Sequence, residues 1–342
     1  MKTIDLRSDT VTRPSDEMRR VMMTAEVGDD VFNDDPTVNR LQDYVAELLD
    51  KEASLYLPSG TMANQVCFKT HSQPGWELIC DRECHVVNYE CAGPVVHSGL
   101  LTNMIDTDRG MIPAETVRAN YRVKTLHSPE TRIVALENSH NHRGGTILPQ
   151  DEILKVRDVC DDLDLIFHLD GARIWNVHVA TGLSLAELVR PFDSVSVCLS
   201  KGLGAPIGSM ILGTKDFIEK ARRTRKLFGG AMRQVGIIAA AGLYAVQNNI
   251  ERLTEDHANA RWLAERLNQL DVFNIDLSRV ETNIILADTT GEHTAASVLD
   301  KMREVGVWAV PFGHRVIRFV THLDVNHSDC EQAFERISEV YG

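Results

Sequence analysis

The sequence has no long apolar run, no excess of positive charge, no internal repeat and no recognisable metal spacing, and each absence removes a class of protein. Its longest apolar stretches, such as "QVGIIAAAGLYAV" at 234–246, fall short of the roughly 20 residues that a membrane-spanning helix needs. The opening "MKTIDLRSDTVTRP" is polar and lacks the apolar core of a signal peptide, so the expectation is a cytoplasmic protein without a membrane partner. A formal net charge of −13 argues against nucleic acid, which selects a basic face. Seven cysteines, an odd number, are scattered along the chain and read as reduced thiols. The densest group, Cys80, Cys84, His85 and Cys91 in "CDRECHVVNYEC", matches no familiar zinc pattern, and Cys80 closes an apolar run as a small hydrophobe. No metal is expected.

What is present is the composition of an ordinary soluble enzyme: 342 residues, 43% apolar and 25% charged, enough for a large core. "RPSDEMRRVMMTA" reads as a helix capped by Ser15, with Asp16 and Glu17 in its first turn. A second helix starts near Thr37, with Val38, Leu41, Val45, Leu48 and Leu49 on one face. "SLYL" is a short strand stopped by "PSG", after which "TMANQVCFKTH" begins a helix. "ELIC", "RIVALE", "LIFHLD" and "SVSVCL" then follow as strands, with the helix "QDEILKVRDVCDDL" between the second and third. This rhythm predicts an α/β fold with a mostly parallel central sheet covered on both faces. Beyond about residue 250 the pattern changes to helices alternating with the strands "NIILAD" and "VIRFVTH". The expected division is a large domain over 1–250, including the N-terminal segment, and a smaller α+β domain over 251–342. Ser328 and Glu331 fit a capping box for the last helix.

In such sheets ligands gather at the carboxyl ends of the strands. Ser59-Gly60-Thr61, His85, Glu137-Asn138, Asp170 and Lys201 all fall at such ends or just past them. "PSGTMAN" offers free N–H groups and hydroxyls at a helix start, where a phosphate would sit, although a plain helix cap reads equally well. It has neither a Walker lysine nor a three-glycine dinucleotide pattern. Asp170 in "HLDGAR" ends a buried strand and must be paired, either with Arg173 or with a protonated ring nitrogen. Lys201 stands alone in the apolar, small-residue passage "SVSVCLSKGLGAPIGS"; a lysine in a desolvated pocket becomes a nucleophile toward carbonyls. A phosphate cradle, an aspartate for a pyridinium nitrogen and a lysine for an aldehyde together describe pyridoxal 5'-phosphate, with Lys201 carrying it as an imine.

With these motifs in hand, and with "IDLRSDTVTRPS", "VGDDV", "DDPTVNRLQ", "ENSHN", "HLDGARIWN", "GGAMRQVGI" and "RFVTHLDV", the chain resembles the threonine aldolase family along essentially its whole length. The resemblance implies an aspartate-aminotransferase-like (fold type I) pyridoxal-phosphate enzyme, a homotetramer built of dimers with active sites shared between chains. It implies that Lys201 holds the cofactor aldehyde, that Asp170 pairs with the ring nitrogen and that Gly60 and Thr61, beside Ser59, bind phosphate. Arg173 would sit near the phenolic oxygen and the substrate carboxylate, and His85 would stack on the ring. Lys226 and Arg233, in "RTRKLFGGAMRQ", would reach a phosphate in the neighbouring subunit; read without the family they are a solvated helix face. Ser8 and Arg318 would anchor the α-carboxylate, a task that suits arginine's two-pronged geometry. His127, otherwise a plain loop histidine, would be the second histidine near the substrate hydroxyl, with His85, or a water between the two, as the base.

The implied activity is cleavage of L-threonine, L-allo-threonine and other β-hydroxy-α-amino acids to glycine and an aldehyde. The same cofactor residues would also serve β-elimination, racemisation or transamination, and a silent amino-acid sensor is a third class. The sequence departs from the family at Phe32, where many members carry tyrosine, and Tyr89 stands at a variable wall position.

Overall fold

The computed structural model describes residues 2–342. Seven strands, β2 (Ala53–Leu57), β3 (Trp76–Asp81), β4 (Leu101–Ile105), β5 (Glu130–Glu137), β6 (Ile166–Gly171), β7 (Ser194–Cys198) and β8 (Ser209–Gly213), form one sheet, preceded in the chain by β1 (Ile4–Asp5). Their spatial order is β2-β8-β7-β6-β5-β3-β4, and β8 alone runs against its neighbours. The sheet is therefore mostly parallel, as the alternation of apolar runs and helices predicts. β5, β6 and β7 are sealed on both faces, which their near-continuous apolar composition requires. β4 was not legible as a strand: "LTNMI" is an edge with no fully buried residue, so its composition carries no periodic signal.

Helices α1 (Asp16–Met23), α2 (Pro36–Leu48) and α3 (Gly60–His71) start at side-chain caps supplied by Ser15, Asp35 and Ser59. The last helix, His327–Tyr341, is capped by Asn326 in a reciprocal box with Asp329. This corrects the expectation of Ser328 and Glu331: Asn326 has the extended backbone a cap needs, and Ser328 already lies inside the first turn.

After residue 250 a second, antiparallel sheet forms from β9 (Phe273–Asn274), β10 (Ile284–Thr289), β12 (Val310–Pro311) and β13 (Val316–Val320), in the order β12-β13-β10-β9. Three apolar clusters accompany the large sheet, the largest around Leu41, Val134, Phe167 and Val195, and one accompanies the small sheet, around Leu263, Ile285, Phe319 and Ile337. The N-terminal strand joins this last cluster: β1 pairs with β11 (Val307–Trp308), and Ile4 and Leu6 are buried there. β1 and β11 are a separate two-stranded pair, and just beyond β1 Asp9 bonds both Arg173, after β6, and Asn283, before β10.

Candidate active site

The carboxyl ends of the central strands carry one row of polar residues. Register sets Glu137 of β5 beside Asp170 of β6, and Asp170 beside Ser196 of β7. Glu137 accepts the backbone N–H of His85 at 2.6 Å and that of Asn141 at 2.8 Å, so one buried carboxylate fixes the start of the short helix α4 (His85–Asn88) and the loop after β5. Asp170 accepts from Asn64 Nδ2 at 2.8 Å and from the Ala172 N–H at 3.1 Å. Past β7 the chain turns through Lys201, whose carbonyl is held by Thr12 Oγ1 at 3.0 Å and by the Gly204 N–H at 2.9 Å. Gly208 closes this turn at φ 118°, and a Cβ there would stand 2.5 Å from the Tyr56 hydroxyl, so the turn requires glycine.

Ser8, His85, Arg173, Lys201 and Arg318 line one cavity of about 580 Å³, together with the Val310–Gly313 segment. Three cations face this space, and no aspartate or glutamate among the described residues forms part of its wall. Asp9 serves them from behind. It binds Arg173 through both oxygens at 2.7 and 2.8 Å, and both residues are buried. Burial works against a charged carboxylate, yet Arg173, with Lys201 and Arg318 nearby, holds Asp9 well below the usual range. Arg318 has no such partner. It donates to Asn141 Oδ1 at 2.9 Å and to the Arg7 carbonyl at 3.2 Å, and its buried Nε has no acceptor. Burial, reinforced by the charge of Arg173, lowers it to about 10, so it stays charged at neutral pH. A partly buried guanidinium with open donors selects an anion.

Ser59 caps α3 by accepting the Met62 N–H, which leaves the first N–H groups of the helix, at Gly60 and Thr61, outside its own ladder. Gly60 is required by packing: a Cβ would lie 2.7 Å from Cys198 Sγ. These three residues do not line the cavity wall itself. One turn further along α3, Asn64 reaches Asp170, so the helix whose first N–H groups are open also carries the partner of the aspartate.

His85 meets Glu90 through Nδ1 at 2.8 Å. Burial opposes its protonation, but the Glu90 contact and the charges of Asp170 and Glu137 raise its affinity for a proton overall. Among the described residues, His85, Glu90 and Asp170 are one trio close enough in distance to hold a metal ion. Their inward oxygens are committed to Asn64, Gln65 and His85, so the trio is a hydrogen-bonded network instead. None of the cysteines near His85 takes part, and Cys84 is held as a thiol by its contact with Cys80 and by burial. The donor set fits pyridoxal phosphate: an unpaired lysine, a buried carboxylate for a ring nitrogen, a glycine-tight helix start, and cations for two acidic groups.

Three expected residues lie elsewhere in the single chain. His127 is exposed on the loop before β5, where its backbone N–H donates to Thr125 Oγ1. Lys226 is exposed at a small basic recess with Arg222, Arg223 and Arg225, and Arg233 pairs at 3.0 Å with Asp29. Phe32 is exposed and outside the cavity. Conversely, Asp9, Asn64, Glu90, Asn141 and His142 were not singled out from the sequence. His142 lies on the cavity wall, 3.0 Å through Nδ1 from the Tyr89 hydroxyl, where a second histidine was sought at His127. A signal existed for Asn64 and Gln65, two amides inside the apolar run of α3, but not for the others.

Residues 5–291 match the model of the family described as beta-eliminating lyase. The chain is 44% identical over 326 residues to the low specificity L-threonine aldolase of Escherichia coli (strain K12), covering 94% of this chain and 95% of that one. It is 40% identical over 346 residues to the probable low-specificity L-threonine aldolase 2 of Arabidopsis thaliana, covering 98% of each. Among solved structures, a putative L-allo-threonine aldolase from Listeria monocytogenes EGD-E superposes with a TM-score of 0.79 at 21% identity, over 99% of this chain and 96% of that chain, a likeness of fold.

Proposed function

The chain belongs to the beta-eliminating lyase family, alongside the threonine aldolases, and on that premise we infer that it is a pyridoxal-phosphate-dependent carbon–carbon lyase of fold type I. It cleaves L-threonine, L-allo-threonine and related β-hydroxy amino acids to glycine and an aldehyde. The observation that carries this reading is the cavity with three cations and no acid on its wall, set beside a buried aspartate.

Pyridoxal phosphate, when bound, supplies an aldehyde for an amine and a ring that takes up electron density. Lys201, on the cavity wall, would provide the amine that holds the aldehyde, and among the described residues it forms no salt bridge. Asp170 would hold a proton on the ring nitrogen, and Ser59, Gly60 and Thr61 would receive the phosphate at the start of α3. Arg318 and Ser8 hold the α-carboxylate, with Arg173 orienting the group next to it. His85 lies on the cavity wall and would accept the proton of the β-hydroxyl as the Cα–Cβ bond breaks; the aldehyde leaves, the bonding pair stays with Cα, and a proton returned to that carbon completes glycine. Lys226 and Arg233 would act across a subunit boundary in a homotetramer with shared active sites, which is compatible with their exposure in the single chain, and His127 would be the second histidine near the substrate hydroxyl. No helix is long and apolar enough to cross a membrane, and a cytoplasmic setting is part of this reading. So is a division near residue 250, supported by the separate cluster of the C-terminal residues, which Ile4 and Leu6 of the N-terminal segment join.

The test is an absorbance spectrum followed by L-threonine and L-allo-threonine in an acetaldehyde-coupled assay. A visible band abolished by borohydride, with acetaldehyde released, is expected; Lys201→Ala loses the reducible band and at least about 1,000-fold in rate. A band without acetaldehyde would redirect the reading to β-elimination. No band after adding the cofactor overturns it.

A further inference from the structure

Glu90 follows α4, its side chain fully enclosed, and both of its oxygens are taken. Oε1 meets His85 Nδ1 at 2.8 Å and accepts from Asn64 Nδ2 at 2.8 Å, while Oε2 accepts from Gln65 Nε2 at 2.6 Å. The other hydrogen of Asn64 Nδ2 goes to Asp170 Oδ2 at 2.8 Å. Asn64 Oδ1 in turn accepts from Ser196 Oγ at 2.7 Å and faces His168 Nε2 at 3.2 Å. The amide of Asn64 therefore has both donor hydrogens and its oxygen in use. It cannot turn toward one carboxylate without releasing the other.

A carboxylate accepts and does not donate, so the ring nitrogen beside it must carry the hydrogen. Neutral His85 then keeps its proton on Nδ1 and leaves the lone pair on Nε2, the nitrogen away from Glu90. That is the tautomer required of a base that takes a proton from a substrate hydroxyl. The same carboxylate restrains Asp170 through Asn64.

We propose that Glu90 is a positioning residue that fixes the Nδ1–H tautomer of His85 and, through Asn64, the orientation of the Asp170 carboxylate. The assignment rests on the roles given above to His85 and Asp170. A merely structural Glu90 would tie α3 to the turn after α4 and leave the titration of His85 where it is.

The groups facing His85 are Glu90 beyond its own helix, Tyr89 at the end of that helix, Glu137 from β5 and Asp170 from β6. Glu90→Gln removes one of three acids and offers an amide NH2 in its place. The readout is carbethoxylation of His85 by diethyl pyrocarbonate in the cofactor-free protein, followed by peptide mass spectrometry from pH 5 to 9. The midpoint of reactivity is expected to fall by about one pH unit in Glu90→Gln. In the loaded enzyme the acid limb of kcat/KM should move the same way, with a loss of about tenfold or more at neutral pH. An unmoved midpoint with full kcat/KM in a folded Glu90→Gln overturns the proposal. Should that variant fail to fold, Glu90→Asp decides. It keeps the charge, so the midpoint should stay while kcat/KM falls as the oxygens withdraw from Nδ1; unchanged kcat/KM overturns the proposal. Because the modification is read without cofactor or substrate, a shifted midpoint in a protein that cleaves no β-hydroxy amino acid would sink the proposed function and leave the Glu90 assignment standing.

Discussion

At one end of the site, Asn64, His85, Glu90 and Asp170 bind one another through side chains contributed by α3, α4 and β6 and the turn that follows α4. At the other, Arg173 and Arg318 lean on the single carboxylate of Asp9, and only Arg173 touches it. The first end is complete in the chain as it stands: its side chains are already hydrogen-bonded to one another, an arrangement that suits a preorganised site. The second carries a surplus of positive charge that the protein does not neutralise. The same asymmetry shows in two histidines joined to Asn64, directly or through Glu90. His85, at the cavity, has its proton affinity raised by nearby acids, whereas burial lowers His168, in the core, to about 3. A site for a zwitterionic substrate and an anionic cofactor needs both arrangements: fixed dipoles where charge must be steered, and unspent cations where charge arrives with the ligand.

The largest effect should come from making the second end worse. Asp9→Asn keeps the shape but leaves buried Arg173 without its charge partner, a loss of about 3–5 kcal/mol of stability. Urea unfolding of the cofactor-free protein at pH 7 measures it. Asp9 is held below its unfolded value of about 3.9. Its contribution is therefore fully present above that pH and lost as pH falls through the folded value. The gap between wild type and variant should be constant from pH 5 to 8 and shrink below about pH 4. A gap of under about 1 kcal/mol would show that Arg173 finds another anion, and the contrast between the two ends would fail.

Arg318→Leu should act in the opposite sense. Removing a cation that has no carboxylate partner should leave stability unchanged or slightly higher. kcat/KM should fall by about 100-fold, mainly through KM, as a charged carboxylate contact is lost. Steady-state kinetics beside a melting curve separates the two. Unchanged KM with lowered stability would make Arg318 a structural residue of β13.

Much of this was legible in the sequence, for a physical reason. Lys201, Asp170 and the Ser59-Gly60-Thr61 start each sit at the end of a short apolar run, and in a parallel sheet those ends converge. What escaped was whatever depends on partners distant in the chain. Asn64 meets Asp170 across 106 positions and Ser196 across 132, and Arg173 meets Asp9 across 164. No local pattern announces such pairs. Nor does periodicity distinguish loop histidines: His127 and His142 are equivalent on the page, and only the folded chain puts one beside Tyr89. The N-terminal strand was hidden for a similar reason, since two residues are too few to alternate, and pairing with β11 reveals it.

Tyr89 and His142 stand between the two ends, on the wall of the same cavity, and supply the smallest predicted effect. Tyr89 is 43% exposed, and among the described residues its hydroxyl meets only His142 Nδ1. Its ring lies 5.4 Å from that of His85, so deleting the hydroxyl leaves the packing against His85 in place. His142 is also tilted against Phe312 at 4.6 Å, which keeps the imidazole seated without the tyrosine oxygen. Tyr89→Phe should therefore cost about 0.5–1.5 kcal/mol at most, the net value of one hydrogen bond. In kcat/KM that is less than about tenfold, measured for L-threonine and L-allo-threonine separately. A loss of 100-fold or more would mean that the hydroxyl touches the reacting β-oxygen. The site would then have a third region, a proton path through Tyr89 and His142 toward Glu83, which lies 3.4 Å from the far nitrogen of that imidazole.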